Sequence, residues 1–152
     1  MTADALDRPA AGRFAGAEHR FPVRVYFEDT DLSGVVYHAN YLRYMERARS
    51  DMLRLAGIDH PAVVTAGEGA YAVVDLAIRY RAPARLDDAL VVVSRVVRAS
   101  GASVVIHQTV RRGAVVLTEA DVTAALVAPS GRPVRQPRAW VDIYHRLVAE
   151  GE

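Results

Sequence analysis

The sequence predicts an α+β fold in which a curved antiparallel sheet of about five strands wraps around one long central helix. Several segments alternate polar and apolar residues with a period of two, which is typical of strands that bury one face. One segment instead repeats its apolar residues with helical spacing. The turns between the later strands are short, and short connections favour antiparallel hairpins over parallel crossovers.

Composition narrows the chemistry that the chain can perform. Its 152 residues suit one domain, and 19 basic against 18 acidic residues leave a formal charge of +1. This charge provides no long-range field that favours nucleic acid, so we expect no nucleic-acid partner. The sequence contains no Cys and no Lys, which excludes a thiolate nucleophile, a disulfide framework, a Schiff-base lysine and a P-loop lysine.

The N-terminal residues 1–20 carry charges every few positions and never form the apolar stretch of a secretory signal. We therefore expect a flexible leader there. No other segment approaches the roughly 18 consecutive apolar residues of a membrane span. The sequence thus predicts no membrane span and a cytoplasmic location.

The first strand and the long helix follow the leader. Residues Phe21 to Glu28 alternate and are rich in Val, Tyr and Phe, which indicates a half-buried strand. From Asn40 to Gly57 the apolar residues fall on one helical face. Asn40 suits an N-cap and Gly57 a C-terminal stop.

Four further strands and a tail complete the predicted domain, which we place at residues 21–129. A loop containing Pro61 and Gly67 precedes the strands, and residues 130–152 form a tail with a possible short helix around Trp140 to Val148. The predicted strands are Tyr71 to Arg81, Ala89 to Ala99, Ser103 to Arg112 and Val115 to Ala128.

The predicted dimensions also bear on assembly. A helix of about 17 residues is about 26 Å long, and strands of 10 to 12 residues extend about 35 to 40 Å. One helix cannot cover both faces of such a sheet. The uncovered face and the free edge strands therefore predict a homodimer or a homotetramer.

The segment YFEDTDLSGVVYHANYLRYM contains the residues that suit catalysis. Glu28, Asp29 and Asp31 lie at the end of a predicted strand, Gly34 falls in a predicted turn, and His38 precedes the helix. This order places acids and an imidazole beside the unpaired N–H groups of a helix start, where a developing oxyanion can be held. An acid or base and an oxyanion site would then share one small volume.

The same segment, extended to YFEDTDLSGVVYHANYLRYMERAR, resembles the hot-dog-fold thioesterases of the 4-hydroxybenzoyl-CoA thioesterase family. It is most similar to the YbgC-type acyl-CoA thioesterases associated with the Tol-Pal system. The match covers about 24 positions, and the predicted order of strands and helix agrees over residues 21–129. The resemblance implies a hot-dog fold and hydrolysis of acyl-CoA or acyl-carrier thioesters with water and no cofactor.

The resemblance also implies roles for individual residues. Asp31 matches the catalytic carboxylate, which either attacks the thioester carbonyl or activates a water. His38 matches the histidine of the YbgC-type motif, and its N–H matches the amide that polarises the carbonyl. A tyrosine that the family counts in the site is replaced here by Phe27. Substrate contacts are implied at Gly34, Val36, Tyr37 and Asn40.

Structural alternatives exist for several of these residues. On composition alone, Asp31 suits a turn carboxylate, and only the motif favours catalysis. We expect Asp29 to be structural and to pair with a local amide. Asn40 is also a good helix cap. Glu46 lies among helix arginines, and an ion-pair lattice explains it without a catalytic role.

A second group of charged residues lies at the end of a strand. Arg79 and Arg81 share a strand face by alternation and could hold the phosphates of coenzyme A or of a carrier-protein arm. A solvated face balanced by Asp87 and Asp88 is the equal alternative. No histidine is spaced with Cys or Asp as a metal-binding set, so the sequence predicts no metal site.

Three functions remain open from the sequence. The first is an acyl-CoA thioesterase with Asp31 as nucleophile or general base and the helix start as oxyanion site. The second is a hot-dog enoyl thioester hydratase, although its motif is not found here. The third is a non-catalytic module that binds acyl carriers or envelope proteins, because one fold supports many functions.

Overall fold

The computed structural model describes residues 3–152. Within these residues, four helices and six strands follow one another, and a short 3-10 turn lies at Phe27–Asp29. In chain order the elements are α1 Ala3–Leu6, β1 Arg13–Ala15, β2 Glu18–Arg24, α2 Asn40–Ala56, α3 His60–Thr65, β3 Ala70–Tyr80, β4 Ala89–Ala99, β5 Val104–Arg112, β6 Val115–Val127 and α4 Arg138–Gly151.

The strands form one antiparallel sheet in the order β1-β2-β4-β5-β6-β3, which confirms the predicted α+β architecture. The sheet has six strands rather than about five because the short strand β1 precedes β2, which overlaps the predicted first strand, and pairs with it. Strands β1 and β2 pair through Arg13 with Arg20 and Ala15 with Glu18. The prediction of a flexible leader over residues 1–20 is therefore wrong for residues 13–15 and 18–20.

The other predicted boundaries differ from the observed ones by small amounts, with one exception. Strand β4 has its predicted bounds, β5 and β6 each differ by one residue at one end, and β3 is shifted by one residue at both ends. The predicted strand over 21–28 ends early, at Arg24, because the chain turns into the 3-10 segment at Phe27. Helix α3 lies in the segment predicted as a loop, and Asp59 caps it by accepting a hydrogen bond from Ala62 N–H at 3.1 Å.

Helix α2 packs in the curve of the sheet, as predicted. It ends at Gly57, whose φ of 86° is left-handed and suits glycine at a helix C-terminus. Its fully buried face contains Met45, Ala48 and Met52. This face packs against inward-facing residues of the strands. They are Val92 on β4, Val110 on β5, and Leu117, Ala120 and Val122 on β6.

Helix α4 closes one end of the hydrophobic core. Trp140 and Tyr144 are buried against Met52 and Ile106. The Tyr144 hydroxyl lies 2.7 Å from that of Tyr71 on β3. The predicted tail helix over 140–148 is therefore longer, at 138–151, and belongs to the core.

A buried histidine joins the N-terminal hairpin to α2. His19 has no exposed surface, and its Nε2 lies 2.7 Å from Asp51 Oδ2. The same oxygen accepts a hydrogen bond from Gly12 N–H at 2.9 Å. The rings of Phe14 and Phe21 lie 5.4 and 6.5 Å from the imidazole. The His19–Asp51 pair holds the β1–β2 hairpin against α2.

Across residues 3–152, none of the helices has the length and apolar character needed to cross a membrane.

Candidate active site

The turn before the site is built around Asp29. Its side-chain Oδ2 accepts a hydrogen bond from Tyr26 N–H at 2.8 Å, and its backbone carbonyl accepts one from Tyr37 N–H at 2.9 Å. Asp29 is buried, and the prediction that it pairs with a local amide is confirmed. The carboxylate also contributes, after burial itself, to raising the pKa of the neighbouring Tyr44 above its ordinary value.

Asp31 begins a tight turn and presents its carboxylate to solvent. Its carbonyl accepts a hydrogen bond from Gly34 N–H at 3.0 Å, and Gly34 has a left-handed φ of 80° that favours glycine. Its Oδ1 accepts from Ser33 N–H at 2.8 Å and from the Ser33 hydroxyl. These bonds, and then the charge of His38, lower the pKa of Asp31 below its ordinary value. The group is therefore a stable carboxylate at neutral pH.

The start of α2 lies close to this carboxylate and offers free amides. The helix lacks a side-chain N-cap because Ala39 occupies the cap position. Within the described residues, the N–H groups of His38 and Ala39 donate no hydrogen bond. The helix dipole adds partial positive charge at these amides. Their arrangement suits an anionic oxygen.

Asn40 has a different role from the predicted cap or substrate contact. It is the first residue of α2, and its buried side chain donates from Nδ2 to the carbonyl of Asp29 at 2.8 Å. The bond fixes the helix start against the turn. The buried side chain of Asn40 therefore holds the start of α2 in position and does not face the solvent side, where a ligand would bind.

Two tyrosines that sequence reasoning missed hold the helix start in place. The hydroxyl of Tyr80, at the end of β3, donates to the carbonyl of His38 at 2.8 Å. The hydroxyl of Tyr41 accepts a hydrogen bond from Ala84 N–H at 3.0 Å, and Ala84 in turn accepts one from Val36 N–H at 2.9 Å. These contacts join residues far apart in the chain, so no local pattern could have indicated them.

We expect Tyr80→Phe to lower kcat several-fold with little change in KM. The hydroxyl bonds the peptide group that carries the free N–H of Ala39, and a hydrogen bond of this kind contributes about 0.5–1.5 kcal/mol. Steady-state kinetics with an acyl thioester would measure this split. An unchanged kcat in a variant with the wild-type melting temperature would show that the hydroxyl does not support catalysis.

The predicted substrate contacts separate into exposed and buried residues. Tyr37 is half exposed, and its ring lies 4.5 Å from that of His38. Gly34 is exposed in the turn. Val36 is 4% exposed and packs in the core, so its side chain is not available to a ligand, contrary to the prediction. Its branched side chain instead secures the loop.

The predicted phosphate-binding arginines lie near the same end of β3, on the outer face of the sheet. Arg79 is opposite Glu119 in the strand register, and the Arg81 guanidinium forms an ion pair with Glu119 at 2.9 Å. Within residues 3–152, Arg79 has no carboxylate within 4.0 Å. The alternative that Asp87 and Asp88 balance these arginines is not observed, since Asp88 instead pairs with Arg112 at 2.9 Å.

Large apolar side chains around the site are exposed in the single chain. Leu32, which follows Asp31 in the sequence, is fully exposed, and Phe27, in the turn before Asp31, is 81% exposed. On the edge strand β3, Val74 is 57% exposed and Tyr80 47%. One chain alone therefore leaves the carboxylate and its apolar surroundings open to water.

Comparison with known proteins agrees with this architecture. Residues 33–127 match the Thioesterase superfamily. The chain is 40% identical over 128 residues to the acyl-CoA thioesterase YbgC of Haemophilus influenzae, covering 84% of this chain and 94% of that protein. It is 42% identical over 111 residues to the acyl-CoA thioester hydrolase YbgC of Escherichia coli O6:H1, covering 72% and 82%.

A comparison with a solved structure supports the assignment of the fold. The crystal structure of a probable thioesterase from Bartonella henselae superposes with a TM-score of 0.76 at 37% identity, covering 79% of this chain and 99% of that one. This likeness confirms the predicted hot-dog fold. Together, the matched residues, the extent of the relatives and the sheet wrapped around α2 establish that the chain belongs to the thioesterase superfamily.

Proposed function

We propose that this protein hydrolyses acyl-CoA thioesters at a site formed by Asp31 and the amides that open α2. The observation that carries the proposal is the position of an ionised carboxylate beside a helix start whose N–H groups of His38 and Ala39 are free. The similarity to the acyl-CoA thioesterase YbgC of Haemophilus influenzae and the acyl-CoA thioester hydrolase YbgC of Escherichia coli supports acyl-CoA as the substrate class.

The reaction requires a nucleophile and a site for negative charge. As a general base, Asp31 takes a proton from water while the water oxygen attacks the thioester carbonyl carbon. The carbonyl oxygen becomes an oxyanion and accepts hydrogen bonds from the His38 and Ala39 amides. The intermediate then collapses, the C–S bond breaks, and the thiolate leaves with the electron pair.

A direct attack by Asp31 is the alternative route. The carboxylate oxygen would then bond to the acyl carbon, and water would cleave the resulting anhydride. After a single turnover in ¹⁸O-labelled water, label in Asp31 identifies the anhydride route, because only attack of water on the Asp31 carboxyl carbon of the anhydride can place it there. In either route the thiolate is a good leaving group, and in this proposal His38 orients the thioester or protonates the departing sulfur.

We also propose that Arg79 and Arg81 bind the phosphates of coenzyme A or of a carrier-protein arm. Both lie within two residues of Tyr80, which contacts His38, so a substrate that reaches around the sheet edge can contact them. Arg79 has its guanidinium available, while Arg81 shares its charge with Glu119. Guanidinium groups bind phosphate in a bidentate manner.

We further propose that the enzyme is a homodimer formed through β3. This strand lies at the edge of the sheet, and it is exposed from Ala72 to Ala77. An apolar edge strand of 11 residues with unpaired backbone groups is a ready surface for pairing with a second copy. Antiparallel self-pairing would place the Tyr80 end of one strand beside the Ala70 end of its partner, and so cover the Asp31 site.

We expect Val74→Arg to dissociate the dimer and to lower activity strongly. Position 74 lies near the centre of β3, so a two-fold axis would bring two guanidinium groups together. Sedimentation velocity would measure the mass and a thiol-release assay the activity. Asp142→Arg, on an exposed position of α4, is the matched control. A fully active monomer would refute the requirement for a partner.

Hydrolysis of a panel of acyl-CoA esters, followed by thiol release, tests the function itself. Release from at least one short, long or aromatic acyl-CoA supports the proposal. Hydration of an enoyl-CoA without thiol release would instead favour the hydratase, and binding without turnover would favour the carrier module. The cytoplasmic location is part of this proposal, and cell fractionation tests it.

A further inference from the structure

Strand β3 lies at the edge of the sheet, and the direction of its backbone groups determines which of them a neighbour can reach. The carbonyl of Leu126, the β6 residue opposite Tyr71, accepts a hydrogen bond from Val134 N–H at 2.9 Å. The backbone groups of Leu126 therefore point away from β3, and the two opposite residues exchange no hydrogen bonds. The N–H and carbonyl of Tyr71 consequently face the free edge of the sheet.

The same alternation identifies the other positions of β3 whose backbone groups face the free edge. Val73 lies two residues after Tyr71 and faces the edge as well. A register irregularity between Val73 and Asp75 then shifts the alternation by one residue. Beyond it, Arg81 N–H donates to the carbonyl of Leu117 at 2.8 Å, so the odd-numbered residues bond with β6. The residues that face the edge there are Leu76, Ile78 and Tyr80.

His60 closes this edge at one end. It is the first residue of α3, which Asp59 caps, and its Nε2 accepts a hydrogen bond from Tyr71 N–H at 3.0 Å. The His60 and Tyr71 rings lie 5.1 Å apart. Covering an edge with a helix or loop is a common way to stop further strand pairing. Within residues 3–152, the open part of the edge therefore extends from Val73 to Tyr80.

The hydrogen bond from Tyr71 requires a neutral His60. A ring nitrogen accepts only when it carries no proton, so the proton of the neutral ring must lie on Nδ1. Burial lowers the pKa of His60 below its ordinary value of about 6.5, which favours this state. In the part of the chain that the structure describes, no carboxylate lies within 4.0 Å of the ring to offset a positive charge.

The charged and titratable groups around His60 come from α2, β3, α4 and the cap of α3. A cavity of about 220 Å³ is lined by His60 together with Glu46, Arg49, Tyr71 and Tyr144. An adjoining groove is lined by His60 with Arg54 and Asp59. Burial, rather than any of these charges, is the cause of the lowered pKa of His60.

We propose that His60 is a pH-sensitive positioning residue, whose neutral ring docks α3 on the edge of β3 and so fixes one wall of the cavity that a β3 dimer places beside the Asp31 site of the second copy. Protonation removes the acceptor and sets one N–H against another, so α3 leaves the edge. Thioester binding then weakens, while the chemistry at Asp31 stays the same.

The direction of the pH dependence follows from the two states of α3. In the undocked state His60 takes up a proton at its ordinary pKa of about 6.5. In the docked state burial lowers the pKa, so the ring stays neutral to a lower pH. Docking is therefore fully stable above about pH 6.5 and weakens about tenfold per pH unit below it, until the docked ring is protonated as well.

Nuclear magnetic resonance of the full chain without substrate measures the docking. We expect the proton of the His60 ring on Nδ1 at neutral pH, and hydrogen-exchange protection of the Tyr71 amide to fall about tenfold between about pH 6.5 and about pH 5.5. In His60→Gln, whose amide oxygen accepts at any pH, the protection should not depend on pH. In His60→Ala the protection should be lost at every pH.

The effect on the site rests on the proposed function and on the β3 dimer, whereas the docking of α3 does not. Between neutral pH and about pH 5.5, the KM of the wild type for an acyl-CoA ester should rise several-fold with kcat unchanged. His60→Gln should abolish this rise. His145→Gln is the matched control, since this exposed histidine of α4 lies 2.9 Å from the carbonyl of Ala99 and should keep the wild-type pH dependence.

The possible outcomes separate the docking of α3 from the role of His60 at the site. A proton on Nε2 of His60, Tyr71 protection that does not fall with pH in the wild type, or an equal fall in His60→Gln would each overturn the docking. An equal rise of KM in the wild type and in His60→Gln would overturn the role at the site. No turnover in any variant would overturn that role together with the proposed function and would leave the docking supported.

Discussion

Asp31→Asn is expected to lower kcat for acyl-CoA hydrolysis by roughly 10²- to 10⁴-fold, the usual contribution of a positioned general base. The amide keeps the size of the side chain and can still accept from Ser33, so the turn should remain folded. It cannot take a proton from water or attack the carbonyl. A thiol-release assay measures the loss, and the KM should change little.

The matched control for this variant is Asp29→Asn. Asp29 is buried and bonds Tyr26 N–H, so its replacement should affect stability more than chemistry. A comparable loss of kcat in both variants, with equal melting temperatures, would assign the effect to the turn rather than to Asp31. Full activity of Asp31→Asn would remove the catalytic assignment.

The pH dependence of the wild-type enzyme should follow the lowered pKa of Asp31. A carboxyl group whose folded pKa is depressed stays ionised as the pH falls, until the pH reaches that depressed value. Because the bonds from Ser33 are the main cause, activity should persist to a pH below the ordinary aspartate range. An acid limb near pH 6 would indicate a different essential base.

Asp51→Ala is expected to lower the free energy of unfolding by about 3–5 kcal/mol, the usual cost of removing one partner of a buried pair. The change leaves His19 Nε2 and Gly12 N–H without their shared acceptor. For a chain of this length, the melting temperature should fall by roughly 10 °C. Thermal and urea unfolding followed by circular dichroism measure both quantities.

A variant of a surface aspartate serves as the control for the stability loss in Asp51→Ala. Asp142→Ala on the exposed side of α4 should change stability by no more than about 0.5 kcal/mol. Asp51→Asn, which retains one acceptor oxygen, should fall between the two. A loss below 1 kcal/mol in Asp51→Ala would mean that the pair contributes little and that aromatic packing around His19 holds the hairpin.

Strong periodicity made the central elements predictable. The amphipathic repeat and Gly57 defined α2 to within one residue, and alternation gave β4 its bounds. The N-terminal hairpin was missed because β1 has three residues and β2 carries charges. Its place in the sheet depends on His19 contacting Asp51, 32 positions away, and local patterns do not contain such contacts.

The motif predicted which segment holds the candidate site, but not what each of its residues contacts. In the structure the charge of His38 acts on the Asp31 carboxylate, and the N–H groups of His38 and Ala39 donate no hydrogen bond within residues 3–152. Asn40 and Val36 were assigned to substrate because they lie inside the motif, yet both are buried. Tyr80 could not be found, since it reaches His38 only after β3 has returned along the sheet edge.

Helix α4 lies beyond the stretch that matches the superfamily, yet Trp140 and Tyr144 place it in the same hydrophobic cluster as Met52 and Ile106. The matched stretch and the folding unit therefore have different boundaries. A shortened protein that stopped at residue 127 would expose these apolar side chains to water and lose the stability that their burial provides.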